Sequence, residues 1–86
     1  MIKVRYHKDF EKKYKKLKPS EKEKFKFRLE LLFIDEFNPV LNNHSLKGKY
    51  LGCRSINLTG DLRAVYKKEG DILVFVTVGN HSNLYG

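Results

Sequence analysis

The chain has 86 residues, with 18 Lys+Arg against 10 Asp+Glu and a formal net charge of +8. We expect a single domain over residues 1–86, and a domain this small buries only about 60% of its unfolded surface, which excludes a large cofactor cradle. Hydrophobic residues make up 41% of the chain, which excludes wholesale disorder. Cys53 is the only cysteine, so an intramolecular disulfide is excluded and a reducing compartment is favoured.

The positive charge is concentrated in the first third of the chain. Residues 1–28 contain 12 basic and 4 acidic side chains, whereas residues 29–86 contain six of each. Such an excess attracts polyanions, although a solvated helix face is the simpler interpretation. The frequent Lys and Arg leave no apolar segment for a signal peptide, and no stretch reaches the roughly 20 apolar residues of a membrane span. A cytoplasmic protein is therefore expected.

The chain begins with a predicted strand and a predicted helix. Alternation of apolar with basic residues indicates a strand with one buried face. An apolar stripe at helical spacing then predicts a helix of about three turns, which Pro19 ends. The strand residues that alternate are Ile2, Val4 and Tyr6, and the helical stripe is Phe10, Tyr14 and Leu17.

A second helix is predicted to begin at Ser20 and to end at Asn38-Pro39. Ser20 and Glu23 have the spacing of a capping box, in which each side chain accepts a hydrogen bond from the other residue's backbone N–H. The helix carries two apolar stripes, so we expect it to be buried more deeply than the first and to lie flat on a sheet. The stripes are Phe25-Leu29-Leu32-Phe33 and Phe27-Leu31-Ile34.

The second half of the chain predicts a three-stranded meander after a loop at residues 40–49. Turn signals at Thr59-Gly60-Asp61 and Glu69-Gly70-Asp71 separate the strands. The strand-like runs are Tyr50–Leu58, Leu62–Lys67 and Ile72–Val78. The order β-α-α-β-β-β predicts an α+β domain, with two N-terminal helices packed on one side of a mainly antiparallel sheet.

Polar side chains next to predicted strand ends are the candidates for chemistry. His44, Asp61 and His81 occupy such positions, and strand parity places Arg63 on the face away from the helices. Each has a simpler interpretation, since surface histidines and turn aspartates are common. Arg54 has the parity of the buried face, which the strand pattern does not explain. The sequence contains no Gly-rich phosphate loop, metal-ligand cluster or nucleophile elbow, so kinase, metalloenzyme and hydrolase activities find no support.

Three segments together have the pattern of a known family. They are His44-Ser-Leu-Lys-Gly-Lys, then Cys53-Arg54 leading to Gly60-Asp61-Leu62-Arg63-Ala-Val-Tyr66, then Val78-Gly79-Asn80-His81-Ser82-Asn83-Leu84-Tyr85. With these segments the chain resembles the RelE/ParE superfamily of bacterial and archaeal toxins, and the YafQ-like branch most closely. The C-terminal segment is the most specific part, and the resemblance extends over nearly the whole chain.

The resemblance implies a toxin of a type II toxin–antitoxin pair, a ribosome-dependent mRNA endoribonuclease. It also implies a reaction without metal or other cofactor, in which the 2′-OH attacks the adjacent phosphate and leaves a 2′,3′-cyclic phosphate and a 5′-OH. The implied catalytic residues are His44, Asp61, Arg63, His81 and Tyr85. His81 is expected to be the general acid and either His44 or Asp61 the base, while Arg63 stabilises the transition state and Tyr85 stacks on a base.

Four further residues are expected to contact RNA or its phosphates: Lys47, Lys49, Arg54 and Asn57. Asn57 stands where the YafQ-like branch often has a histidine. An amide holds a substrate or water but cannot shuttle a proton, so the roles in this chain are expected to be shared out differently.

The resemblance further implies a cognate antitoxin on a separate chain, with an acidic amphipathic segment, besides the ribosome and mRNA. No membrane partner is expected. Two other functions stay open. One is a ParE-like toxin that binds and inhibits DNA gyrase without cutting nucleic acid, and the other is a basic RNA-binding module without chemistry. The paired histidines and the C-terminal motif favour the nuclease.

Overall fold

The computed structural model describes residues 3–85, apart from the side chains of Asn83 and Tyr85. Within this range the chain forms one five-stranded sheet of order β1-β5-β4-β3-β2, in which only β1 and β5 are parallel neighbours. The elements are β1 (Lys3–Tyr6), α1 (Lys8–Tyr14), α2 (Pro19–Ile34), β2 (His44–Ser45), β3 (Arg54–Asn57), β4 (Leu62–Glu69), β5 (Ile72–Asn80) and α3 (His81–Tyr85). The predicted α+β class, with two N-terminal helices on a mainly antiparallel sheet, is confirmed.

The strands differ from the prediction in their bounds. The predicted loop contains the two-residue edge strand β2. The run expected from Tyr50 forms a strand only from Arg54, because residues Gly48–Tyr50 make a 3-10 turn and Gly52 has a φ of 89°. Strand β5 extends to Asn80 and leads directly into α3. Of the expected first strand, Ile2 lies outside the described residues.

The cap of α2 differs from the predicted capping box. Pro19 is the first residue of α2, where its missing N–H costs no hydrogen bond. The carboxylate of Glu21 accepts a hydrogen bond from the Lys18 backbone N–H at 2.8 Å, so the cap is two residues earlier than Ser20 and Glu23 predicted. Helix α1 ends at Tyr14, before Pro19 can act on it, and α2 ends at Ile34 rather than at Asn38.

Only one stripe of α2 is buried. Phe25 and Leu32 are in the core, but Phe27 and Ile34 are 67% and 81% exposed, so the expectation that both stripes are buried is wrong. A contact on one side of a helix buries only the stripe that faces it. Here that contact is an aromatic cluster under the helices. In this cluster the ring centroid of Phe75 lies 5.6 Å from Phe10 and 5.2 Å from Phe25.

Both faces of the sheet carry apolar residues. The face under α1 and α2 holds the larger core, and on it Tyr66 is fully buried with its ring centroid 5.7 Å from Phe75. The opposite face holds a smaller cluster of Cys53, Val65 and Leu84. Helix α3 therefore folds back over that second face. None of the described helices is long and apolar enough to cross a bilayer.

The parity of Arg54 has a structural explanation. Arg54 pairs with Tyr66 and so points to the face under the helices, at its edge. Its Nε donates to Asn43 Oδ1 at 2.7 Å, and its guanidinium carbon lies 5.4 Å from the centre of the Phe37 ring. The segment that follows α2 therefore covers and partners this cation.

Candidate active site

Four predicted site residues meet at one end of the sheet, on the face opposite α1 and α2. Arg63 on β4 is the direct neighbour of Asn57 on β3 and of Gly79 on β5. Paired residues of adjacent strands point to the same side, so Asn57 and Arg63 share a face. The backbone N–H of His81 donates to the carbonyl of Asp61 at 3.0 Å. Sheet register thus brings together residues that are up to 24 positions apart, and the side chains of Asp61 and His81 are exposed.

The guanidinium of Arg63 folds onto the hairpin that carries Asp61. Nη1 donates to the carbonyls of Thr59 at 3.0 Å and Leu62 at 3.2 Å, and Nη2 donates to the carbonyl of Gly60 at 3.1 Å. A guanidinium has five N–H donors. The Nε–H and one Nη2–H therefore have no partner within the described part of the chain. Arg63 both fixes the turn and keeps donors for an anion.

Thr59 is a positioning residue that sequence reasoning missed. Its hydroxyl oxygen accepts from the backbone N–H of Asp61 at 3.3 Å and of Leu62 at 3.0 Å. A hydroxyl side chain at the start of a turn commonly makes such bonds, and the Thr-Gly-Asp order was a signal for it. Thr59 and Arg63 together fix the backbone on which Asp61 sits.

Asn57 presents an unusual polar group to this site. Its side-chain Oδ1 is buried and has no hydrogen-bond partner among the described residues. A buried unpaired acceptor is unfavourable. Its backbone carbonyl, in contrast, accepts from Arg28 Nη1 at 3.2 Å. The amide thus keeps an acceptor next to Arg63.

His44 lies apart from the other candidates, on the edge strand β2. It pairs with Ser55, which is two residues before Asn57 on β3. Three strand spacings of roughly 4.8 Å separate β2 from β5, so His44 is at least about 14 Å from the end of β5 where His81 begins α3. The imidazole Nδ1 is 2.8 Å from the carbonyl oxygen of Asn42. A carbonyl oxygen only accepts, so this contact places a proton on Nδ1, and in a neutral ring the lone pair is then on Nε2.

Asn43 ties the His44 strand to the core, and sequence reasoning missed it also. Its Nδ2 donates to Tyr66 Oη at 2.7 Å and to the carbonyl of Glu36 at 3.1 Å, while its Oδ1 accepts from Arg54. Burial raises the pKa of the Tyr66 hydroxyl above its usual range, so the neutral phenol is kept in this network. His44 therefore follows a residue whose side chain makes three hydrogen bonds.

The remaining predicted residues lie elsewhere. Lys47 and Lys49 are exposed on the segment after β2, where Lys49 Nζ lies 5.2 Å from the centre of the Tyr50 ring. Arg54 faces the helix side and is not brought together with Arg63. Tyr85 ends α3, and its side chain lies outside the described residues. The described residues contain no group of three or more His, Cys, Asp or Glu that is arranged to hold a metal ion.

Solved structures with the same fold cover the whole chain. YafQ from E. coli strain BL21(DE3) superposes with a TM-score of 0.84 at 23% identity, with 100% of both chains covered. The E. coli DinJ-YafQ toxin-antitoxin complex matches with a TM-score of 0.81 at 25% identity, over 99% of this chain and 98% of that one. A metal-bound toxin from Helicobacter pylori matches with a TM-score of 0.76 at 26% identity, over 99% and 100%.

The sequence comparisons identify the family directly. Among curated protein sequences, none matches this chain. A family model described as "Bacterial toxin of type II toxin-antitoxin system, YafQ" matches residues 2–86. That match extends over the hairpin, the β5 end and the C-terminal helix that form the candidate site. The chain belongs to the YafQ family of bacterial toxins of type II toxin–antitoxin systems.

Proposed function

We propose that this toxin is a ribosome-dependent mRNA endoribonuclease that inhibits translation. The observation that carries the proposal is the grouping of Asn57, Asp61, Arg63 and His81 at one end of an open sheet face. Cleavage of RNA through its own 2′-OH needs a base, an acid and cations near the phosphate. Each of these chemical roles has a side chain on this face.

The proposed reaction moves two protons and leaves the atoms of the RNA balanced. The carboxylate of Asp61 takes the proton of the 2′-OH, and the 2′ oxygen forms a bond to the adjacent phosphorus. The bond from phosphorus to the 5′ oxygen breaks, and His81 gives that oxygen its proton. The products are a 2′,3′-cyclic phosphate and a 5′-OH.

The other groups act on charge and position. The unpartnered donors of Arg63 face the extra negative charge that builds on the phosphate. Asn57, the direct neighbour of Arg63, contacts the substrate, and Tyr85 stacks on a base. Asp61 lies directly beside His81. His44 is the alternative base, which requires β2 to move toward the bound RNA, because β2 lies at least about 14 Å from the end of β5.

A cognate antitoxin on a separate chain is the proposed protein partner. E. coli YafQ occurs in a solved complex with DinJ, at 25% identity to this chain. The excess positive charge of residues 1–28 suits an acidic partner segment. We propose that this segment contacts α1 and α2, where most of those cations are placed.

Mapping of mRNA 5′ ends after incubation of the toxin with translating ribosomes tests the activity. We expect new ends that carry a 5′-OH, and a loss of about 10²-fold or more in cutting rate for His81→Ala. Ser82→Ala changes the next exposed residue of α3 and is the matched control, with cutting expected at the wild-type rate. Intact mRNA with wild-type protein would refute the proposal.

The choice of base is tested by pH profiles. If His44 is the base, His44→Gln removes the fall in cutting rate at low pH, whereas Asp61→Asn leaves it. The opposite pattern assigns the base to Asp61.

A supercoiling assay with DNA gyrase tests the ParE-like alternative, and we expect no inhibition by this toxin.

A further inference from the structure

A cationic groove lies on the same sheet face as the candidate active site, at the other end. Register places Arg5 of β1, Val74 of β5 and Lys67 of β4 in one row across three strands. These residues line a groove of about 670 Å³, together with Lys49 and Tyr50 from the segment after β2. The groove combines cations from the first and second halves of the chain.

The groove carries a net positive charge. Arg5 and Lys49 are exposed, and in the described range neither has an ion-pair partner. Lys67 is paired at 3.4 Å with Glu69, the one carboxylate among the described residues that line the groove. Lys49 Nζ lies 5.2 Å from the centre of the Tyr50 ring. An aromatic ring beside cations is the combination that binds single-stranded nucleic acid, through base stacking and phosphate contacts.

The groove is in line with the candidate active site along β4. Arg63 and Lys67 are four residues apart on that strand and point to the same face. At about 3.3 Å per residue they are roughly 13 Å apart. That separation is too long for both to contact one phosphate. The groove therefore suits nucleotides that flank the cut and not the nucleotide that is cut.

We infer that this groove binds single-stranded RNA beside the cleavage position, with Arg5, Lys49 and Lys67 on phosphates and Tyr50 on a base. The inference rests on the proposed function for the choice of RNA as ligand. An acidic peptide is a poorer fit, because the cations come from three separate segments along a path that leads to Arg63. The length of RNA that binds, and its position relative to the cut, then depend on contacts at both ends of one sheet face.

A binding assay without cleavage tests the groove. The probe is a fluorescein-labelled 2′-O-methyl oligoribonucleotide of about eight nucleotides, which lies in the 4–16 nucleotide range of single-strand sites. The blocked 2′-OH prevents cutting, so fluorescence anisotropy reports binding alone. The triple variant Arg5→Ala/Lys49→Ala/Lys67→Ala removes the groove cations. Lys12→Ala/Lys16→Ala/Lys24→Ala removes the same charge from exposed positions on α1, the turn after it and α2.

We expect the groove triple to weaken binding by about 10-fold or more. The slope of log affinity against log salt should become shallower by about 2, as three lost phosphate contacts predict for a single strand. The control triple should weaken binding by less than about threefold at 0.15 M salt, because charges beyond about 8 Å are screened. Tyr50→Leu should weaken binding while Tyr50→Phe keeps it, with thermal melts to show that both variants fold.

Several results would contradict the inference that the groove binds RNA. Equal loss in the two triples would mean that only total charge matters. Binding to vacant ribosomes is measured as well. If the groove triple lost that binding but still bound the oligonucleotide, these cations would be assigned to ribosomal RNA. An oligoglutamate peptide that competes better than RNA, and whose binding the groove triple removes, would assign the surface to an acidic protein. Because the probe cannot be cut, failure of the cleavage assay leaves this result standing, and the reverse also holds.

Discussion

The two faces of the sheet differ in what they hold, although the same strands build both. On β4, Leu62, Ala64 and Tyr66 enter the core under α1 and α2, whereas Arg63 and Lys67 lie on the opposite face. The helix-covered face is dominated by aromatic contacts around Phe75. The opposite face has a small apolar centre, with the candidate site at one end and the cationic groove at the other. The larger core and the candidate site thus lie on opposite sides of one sheet.

The division follows from strand geometry in a small domain. Alternate residues of a strand point to opposite faces, so a strand contributes to both without compromise. Gly79 lies where α3 meets the second face. It is paired with Arg63, and a Cβ at this position would lie 3.4 Å from Leu84 Cδ2. That distance is an ordinary van der Waals contact, so α3 packs directly beside the row that carries Arg63.

The largest expected effect is on the helix-covered face. Phe75→Ala removes the ring at the centre of the aromatic cluster and should lower the free energy of unfolding by about 3–5 kcal/mol. Val76→Ala, on the opposite face, should lower it by only about 1–2 kcal/mol. Urea denaturation of both variants measures the difference. Equal losses would mean that the two faces contribute equally to the free energy of unfolding.

The next effect is on the opposite face. Arg63→Lys keeps a positive charge but removes the fork that donates to three hairpin carbonyls. We expect cutting of mRNA to fall by about 10²-fold and the free energy of unfolding to fall by only about 1–2 kcal/mol. Lys68→Ala, also on β4, is the control for cutting. A stability loss without a loss of cutting would make Arg63 purely structural.

A smaller effect concerns the hydroxyl that joins the core to the His44 strand. Tyr66→Phe removes the partner of Asn43 and should lower stability by about 1 kcal/mol. Folding raises the pKa of Tyr66 from about 10.0, so the wild type should lose stability as pH rises above that value, and the phenylalanine variant should lose less. Unfolding curves from pH 8 to 11 compare the two. Parallel curves would contradict the buried phenol network.

The smallest effect is at the α1 surface. A hydrogen bond with Thr77 and the charge of Lys13 lower the pKa of Asp9 below 3.8. Its contribution to stability is therefore complete above that pH and is lost as pH falls below it. Asp9→Asn should cost only about 0.3–0.5 kcal/mol at neutral pH, because the pair is exposed. Thermal melts at pH 7 and pH 2.5 should differ less in the variant than in the wild type.

The candidate site was predictable in its members more than in its arrangement. Strand parity placed Arg63 on the face away from the helices, and the turn signal placed Asp61 in a hairpin. Neither pattern predicts the register between strands, which places Arg63 next to Asn57 and Gly79. Thr59 and Asn43 were missed because their roles are hydrogen bonds to residues whose positions depend on the fold. The catalytic roles themselves stay predictions.

The helices show where local patterns mislead. Two apolar stripes on α2 predicted burial on two sides, but Ile34 is 81% exposed, since the sheet lies under only one side of the helix. Ser20 and Glu23 had the spacing of a capping box, yet Pro19 starts the helix and Glu21 caps it. Such choices depend on where the chain enters a helix, which capping signals locate only to within a residue or two.

The sequence by itself determined the class of fold, the family resemblance and the list of polar residues at strand ends, because alternation, turn residues and motifs are local. It also located the charge excess in residues 1–28. Only the tertiary structure decided where that charge acts. The parallel pairing of β1 with β5 brings Arg5 to the face of Lys67, and a contact between strands so distant in sequence is a property of packing. The positive charge of the first third is therefore divided between the helices and the face that carries the candidate site.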